Sequence, residues 1–144
     1  MRVDQILKSK ATEGIVTVMP GSTVAEAVAL LSARKFGAVI VSPDGKTAAG
    51  ILSERDIVRE LGRRGAACLS DPVDALMTGT LVSCGLQDDS MHVFQLMTDG
   101  RFRHVPVLEN GEMVGLISIG DVVKALLSEL SMEKDALQGM IMGH

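Results

Sequence analysis

No tryptophan and no tyrosine occur in the 144-residue chain, and its aromatic content of 2% rests on Phe36, Phe94 and Phe102. Readers of single-stranded nucleic acid stack bases on exposed aromatic platforms, which this chain scarcely has. Positive charge is also in deficit: 14 Lys and Arg stand against 18 Asp and Glu, a net charge of −4. Proteins that bind nucleic acid or anionic membrane surfaces show the reverse balance, so neither is expected as a partner. No apolar run approaches the roughly 20 residues that span a bilayer, and no membrane insertion is expected. The opening MRVDQILKSK lacks the apolar stretch and cleavage site of a signal peptide, which makes the cytoplasm the expected location. Cysteine is limited to Cys68 and Cys84, which form no CxxC and have no histidine at metal spacing. Two reduced thiols are expected, with Cys84 packed inside the apolar run LVSC. Three scattered histidines supply no nucleophile–base pair, and neither GxxxxGK[ST] nor a strand-borne GxGxxG is present. Catalysis is not expected.

What is present is a folded composition, 47% hydrophobic and 22% charged, and a chain that repeats itself. At a displacement of 66 positions RKFGAVIVSPDG (34–45) falls on GRFRHVPVLENG (100–111). After a one-residue gap GILSERDIV (50–58) falls on GLISIGDVV (115–123). At the front VDQIL (3–7) matches VDALM (73–77), and four extra residues in the first copy precede the match of IVTV (15–18) to LVSC (81–84).

Each copy reads as strand, helix, strand, strand, helix. Ile15–Val18 is a β-branched run ended by Pro20-Gly21, and Ser22 or Thr23 caps a helix with Val24, Ala27, Val28 and Leu31 at helical spacing. Strands are expected over Phe36–Val41 and Ala48–Leu52, joined by the turn Pro43-Asp44-Gly45. Ser53 opens a helix that the segment Gly62–Ala67 breaks, and Asp71-Pro72 reads as the cap and first residue of the next lead helix. The expected organisation is a first repeat over 1–65, a linker over 66–72, a second repeat over 73–131 and an apolar tail over 132–144 containing Met132, Met140, Ile141 and Met142. A unit of about 60 residues is marginal alone, so the copies are expected to share a core.

The motif G-h-h-S-x-x-D occurs as Gly50–Asp56 and again as Gly115–Asp121. Two readings stand side by side. Serine three residues before an acid at the head of an apolar helix is a capping box. The same strand-to-helix turn presents a helix N-terminus suited to phosphate, with an aspartate one turn in that can accept from ribose hydroxyls.

Repeat order and the paired motifs GILSERDIV and GLISIGDVV make the chain resemble a tandem pair of CBS domains, from Val3 to about Glu129. The resemblance implies an α/β (α+β) fold in which two pseudo-symmetric β-α-β-β-α repeats pack through their sheets and leave two clefts for adenosine-bearing ligands. It implies Asp56 and Asp121 on ribose, with Ser53 and Ser118 near phosphate. Base pockets would draw on Thr17, Val18 and Met19 with Ala38 and Val39, and on Cys84, Gly85 and Leu86 with His104, Val105 and Pro106. For Val39 and Val105 plain core packing serves equally well.

Cations differ between the copies. Arg55 stands where the second motif has Gly120, and Arg101, Arg103 and His104 stand where the first copy has Lys35, Gly37 and Ala38. Arginine suits forked phosphate contacts, so the two clefts are expected to be unequal. The resemblance implies a regulatory module that senses an adenine nucleotide, AMP foremost, with NAD or S-adenosylmethionine as further candidates. It would form a homodimer and signal to a separate, unidentified regulated protein. The alternative is a ligand-free interaction adaptor in which both S-x-x-D motifs are only caps. A weaker third reading is nucleic-acid binding through Arg63, Arg64 and the RFRH turn.

Overall fold

The computed structural model of the chain describes residues 1–10, 15–34 and 36–141, so Lys35, Met142, Gly143 and His144 lie outside the described residues. The order is α1 (Val3–Ser9), β1 (Thr17–Val18), α2 (Val24–Arg34), β2 (Ala38–Val41), β3 (Gly50–Ser53) and α3 (Glu54–Arg64). A 3-10 segment (Gly65–Ser70) leads to α4 (Val73–Leu76), β4 (Cys84–Gly85), α5 (Ser90–Gly100), β5 (His104–Glu109), β6 (Glu112–Ser118) and α6 (Ile119–Ile141).

Local chemistry sets the boundaries. Thr23, not Ser22, caps α2, its Oγ1 accepting from the Glu26 amide at 3.2 Å. Helix α3 passes through Gly62 and stops at Gly65, whose φ of +70° a residue with a Cβ tolerates poorly. Pro72 does not open α4 but precedes it in extended conformation, so the helix begins one residue later, at Val73. The Asn110-Gly111 pair joins β5 to β6 with φ of +53° and +81°, the turn chemistry of a tight hairpin. The apolar tail is a continuation of α6, which runs unbroken through Met132 to Ile141.

Each repeat builds one three-stranded sheet, with β1 parallel and β3 antiparallel to the central β2, and β4 and β6 likewise beside β5. Alternation along β2 divides its side chains. Val39 and Val41 join Val18, Val24, Ala27, Leu31, Leu52 and Ile57 under the helices, and Ala38 and Ile40 turn the other way. That second face meets Met113, Leu108 and Leu116 of the other sheet, so the repeats are packed through their sheets. Both faces of β2 are covered, which is why all four of its residues are buried. In the second repeat Val105, Val107 and Ile117 pack beneath Val93, Met97, Val122 and Ala125.

The lead helices are exchanged. Val3 and Ile6 of α1 are buried in the core of the second repeat, and Val73 of α4 in the core of the first. Matching backbone bonds fix both crossings: the Val3 amide donates to the Asp88 carbonyl at 2.9 Å, and the Val73 amide to the Ser22 carbonyl at 2.7 Å. Each small core is thus completed by the other copy's helix, and neither unit closes its own.

This exchange explains the glycine that opens each motif. A Cβ on Gly50 would lie 2.4 Å from Met77 Sδ and 3.0 Å from the Thr78 carbonyl oxygen. One on Gly115 would lie 2.8 Å from the Leu7 methyls. The Thr78 carbonyl cannot retreat, because it accepts from the Ile51 amide at 3.0 Å. Gly50→Ala is therefore expected to destabilise the fold by about 2 kcal/mol, the usual cost of overpacking. Urea unfolding would read this as a lower midpoint, and an unchanged midpoint would contradict the tight crossing.

Candidate functional site

Two clefts flank the sheet-to-sheet contact, each built from both repeats. The first, of about 430 Å³, is walled by Ser53, Glu54, Arg55 and Asp56 at the β3–α3 turn and by Arg59 further along α3. Opposite stand Thr78, Thr80, Leu81 and Val82 ahead of β4, and Arg101, Phe102, Arg103 and His104 ahead of β5. The second, of about 200 Å³, places Ser118 and Asp121 opposite Lys10, Ile15 and Val16, with Phe36, Gly37, Ala38, His104 and Leu116.

Both motifs close as capping boxes. Asp56 Oδ2 accepts from the Ser53 amide at 2.9 Å and from the Ser53 hydroxyl at 2.9 Å, and Ser53 Oγ accepts from the Asp56 amide at 3.3 Å. In the second repeat the Ser118 amide donates to Asp121 Oδ2 at 2.9 Å, and the Asp121 amide to Ser118 Oγ at 3.2 Å. The Glu54 amide is likewise taken, by the Gly37 carbonyl at 3.0 Å, and the Ile119 amide by the Arg103 carbonyl at 2.8 Å. Two of the first three amides of each helix are thereby occupied. A phosphate in these clefts would depend mainly on side-chain cations, with little from free helix N–H groups.

Charge is distributed unevenly. Four arginines line the first cleft against two carboxylates, Glu54 and Asp56. Asp56 Oδ1 has Arg59 Nη2 at 3.6 Å. In the second cleft Lys10 Nζ sits 2.9 Å from Asp121 Oδ2 and donates to the Leu116 carbonyl at 2.8 Å. Burial pushes the Asp121 carboxyl up, yet the Ser118 amide and the Lys10 ammonium outweigh it and hold it below the usual range.

His104 belongs to both clefts. Its ring lies against Gly37, where a Cβ would come within 3.2 Å of Nε2. Burial lowers its pKa, partly opposed by the carboxylates of Asp121 and Glu54 and assisted by Lys10 and Arg103.

Of the residues singled out from sequence, Ser53, Arg55, Asp56, Arg103 and His104 come together in the first cleft, and Ala38, His104, Ser118 and Asp121 in the second. Ser118 reaches both. Thr17, Val18, Met19, Cys84, Gly85, Leu86 and Pro106 line neither cleft. Strands β1 and β4 are two residues long, so the walls come from the residues just before them, Ile15 and Val16 or Leu81 and Val82. Val18 and Cys84 are instead core, as are Val39 and Val105. Burial and the nearby Asp88 carboxylate push the Cys84 thiol up to about 12. Sequence reasoning missed Lys10, Arg59, Thr80 and the two apolar pairs. The recurrence of Ile15-Val16 as Leu81-Val82 and the i,i+3 spacing of Arg59 to Asp56 were the available signals.

Comparison with known proteins agrees with this architecture. The family model of the CBS domain matches residues 3–63 and 73–128. The mitochondrial CBS domain-containing protein CBSX3 of Arabidopsis thaliana is 36% identical over 125 residues, covering 84% of this chain and 61% of that protein. A CBS-domain containing protein of Agrobacterium tumefaciens shares 43% identity at a TM-score of 0.82, covering 87% of this chain and 98% of the other. A protein of Burkholderia ambifaria described as a putative signal-transduction protein with CBS domains shares 35% identity at the same TM-score, covering 89% and 95%. The CBS domain pair of MJ0100, solved with 5′-methylthioadenosine and S-adenosyl-L-methionine, has a TM-score of 0.77 over 90% of this chain and 98% of that one, but at 18% identity it shows the fold alone. Two sheets joined face to face, exchanged lead helices and paired S-x-x-D turns are the marks of a double-repeat module. The chain belongs to the CBS-domain family, as a tandem pair.

The half-buried imidazole of His104 has a consequence for pH. Because its folded pKa lies below the ordinary 6.5, the unfolded chain takes up the proton first. Its contribution to stability is full above pH 6.5 and falls as pH drops through that value toward the folded pKa. Thermal unfolding between pH 7.5 and 5 is expected to show this decline, and His104→Asn to flatten it. Equal slopes in both proteins would contradict the assignment.

Proposed function

We propose that the chain is a cytoplasmic, non-catalytic regulatory module that binds an adenosine-containing nucleotide, AMP foremost, between its repeats and passes a conformational signal to a separate protein. The observation that carries this reading is the Asp56 carboxylate in a cleft with four arginines, an acceptor for ribose beside cations for phosphate. Asp56 would take the ribose hydroxyls through Oδ1, the oxygen that the capping box leaves outside. Ser53 and Arg55 with Arg103 would meet phosphate, and Leu81 and Val82 would lie along the base. Occupancy would favour one arrangement of the two sheets over others and so alter the surface offered to a partner. The adenosyl ligands of the MJ0100 domain pair support the ligand class. The Burkholderia ambifaria protein, by its description, supports a signalling role.

The closed capping boxes favour the second reading, a ligand-free adaptor, and the two separate cleanly. The chain has neither Trp nor Tyr, so bound adenine would appear as a clear ultraviolet band in purified protein. Asp56→Ala is expected to abolish nucleotide binding and to lose about 1 kcal/mol with the cap. Ser53→Ala loses a comparable cap energy and one phosphate contact but keeps the carboxylate, and is expected to weaken binding without abolishing it. Calorimetric titration with AMP, ADP, ATP, NAD and S-adenosylmethionine reads both. If no nucleotide binds or raises the unfolding temperature of the wild type, the adaptor reading replaces this one.

The homodimer is proposed through α6. Beyond Glu129 its side chains leave the body, and Val123, Leu127, Leu130, Leu137 and Ile141 stand exposed at alternating spacings of four and three, with Lys134 between. That is a coiled-coil seam, which a second copy of the same helix fits. Antiparallel pairing keeps the two Lys134 ammoniums apart. Leu130→Glu is expected to convert a dimer to a monomer in sedimentation at micromolar concentration, and a wild-type monomer would refute the seam.

A further inference from the structure

The two clefts are related by the repeat, yet their charges are not. In the first, Arg55, Arg59, Arg101 and Arg103 oppose two carboxylates, an excess of two positive charges. In the second, Lys10 and Asp121 cancel. Displaced by 70 positions, as VDQIL is to VDALM, Lys10 corresponds to Thr80, which stands exposed in the wall of the first cleft. One copy therefore has a short neutral side chain where the other has a cation reaching its aspartate.

The contacts of that cation are complete enough to matter. Lys10 Nζ has two acceptors, Asp121 Oδ2 at 2.9 Å and the Leu116 carbonyl at 2.8 Å, and the two side chains are only 24% and 22% exposed. The ammonium lies on Oδ2, the oxygen that also accepts from the Ser118 amide, so a ribose diol approaching Oδ1 would have to enter beside a cation already seated in this small cleft, and displacing that cation would leave a partly buried charge without its partner. Asp56 has no such competitor at that distance; its nearest cation is Arg59 at 3.6 Å. Arg101 closes α5 in the left-handed region, φ 58° and ψ 36°, where glycine or asparagine is easier, and its side chain lines the arginine-rich wall.

We propose that Lys10 is a built-in occupant of the Asp121 cleft, so that the chain binds one nucleotide, at Asp56, and keeps the second cleft closed to ribose. The inference rests on the nucleotide-binding reading above. Lys10 is then the residue that makes the two halves of the module unequal, taking in the second cleft the place a ligand takes in the first.

Isothermal titration with AMP and with ATP tests it, with circular dichroism confirming the fold of each variant. The wild type is expected to bind one nucleotide per chain, Asp121→Ala to keep that site, and Asp56→Ala to lose it. Lys10→Met, neutral and of similar length, is expected to raise the stoichiometry from one to two, and Lys10→Met combined with Asp121→Ala to return it to one. Two sites in the wild type, loss of the single site in Asp121→Ala, or a stoichiometry unchanged in folded Lys10→Met would each overturn the inference and leave nucleotide binding intact. Absence of any nucleotide binding to wild type and Lys10→Met alike would instead remove the reading beneath it.

Discussion

Neither repeat can bury its own apolar face, and this constraint organises the molecule. A sheet of three short strands with two helices leaves a gap in its core, and each gap is filled by the lead helix of the other copy: Val3 and Ile6 in one, Val73 in the other. The segments that follow those helices are therefore drawn across the junction between repeats. Thr78 lies against Ile51 at the edge of β3, and Lys10 reaches the Leu116 carbonyl beside β6. The clefts are what remains between these crossing segments and the strand-to-helix turns. Their walls belong to both copies because the cores do.

Pseudo-symmetry at the backbone coexists with chemical inequality. The same amide–carbonyl bond ties the start of α3 to Gly37 and the start of α6 to Arg103. Around that common frame the first cleft collects guanidinium groups and the second is neutralised from within. His104 lies at the centre of this arrangement, against Gly37 and between Glu54 and Asp121, so any change of charge on one side is felt by a group shared with the other. Duplication supplied the scaffold, and the divergence of a few side chains at its turns set the two halves apart.

Much of this was readable from the chain. The recurrence of Gly50, Ser53 and Asp56 as Gly115, Ser118 and Asp121 marked the repeat, the turns and the candidate carboxylates. Val39 and Val105 were equally open in sequence to a base pocket and to core packing, and they are core. The helix exchange was hidden, because VDQIL and VDALM are interchangeable in sequence and nothing local says which core each enters. The cleft walls were placed two or three residues too late, at Thr17–Met19 and Cys84–Leu86 instead of Ile15-Val16 and Leu81-Val82, since a β-branched run such as Ile15–Val18 does not reveal where its strand begins. Lys10 escaped notice because the extra residues after it put the copies out of register, and its partner is 111 positions away. The glycines were visible as a pattern, but their cause is a thioether and a carbonyl at Gly50 and the Leu7 methyls at Gly115, arriving from another element.

The helix exchange also bears on how the chain acquires its structure during synthesis. The Val3 amide at the head of α1 meets the Asp88 carbonyl, far along the chain in the second repeat. Helix α1 thus emerges from the ribosome long before the strands it will cover exist, and the first core stays open until α4 has followed it. Contacts of such range are slow to form and cannot be won repeat by repeat. The two copies look like independent units in sequence, yet neither core can close before a helix of the other copy has arrived.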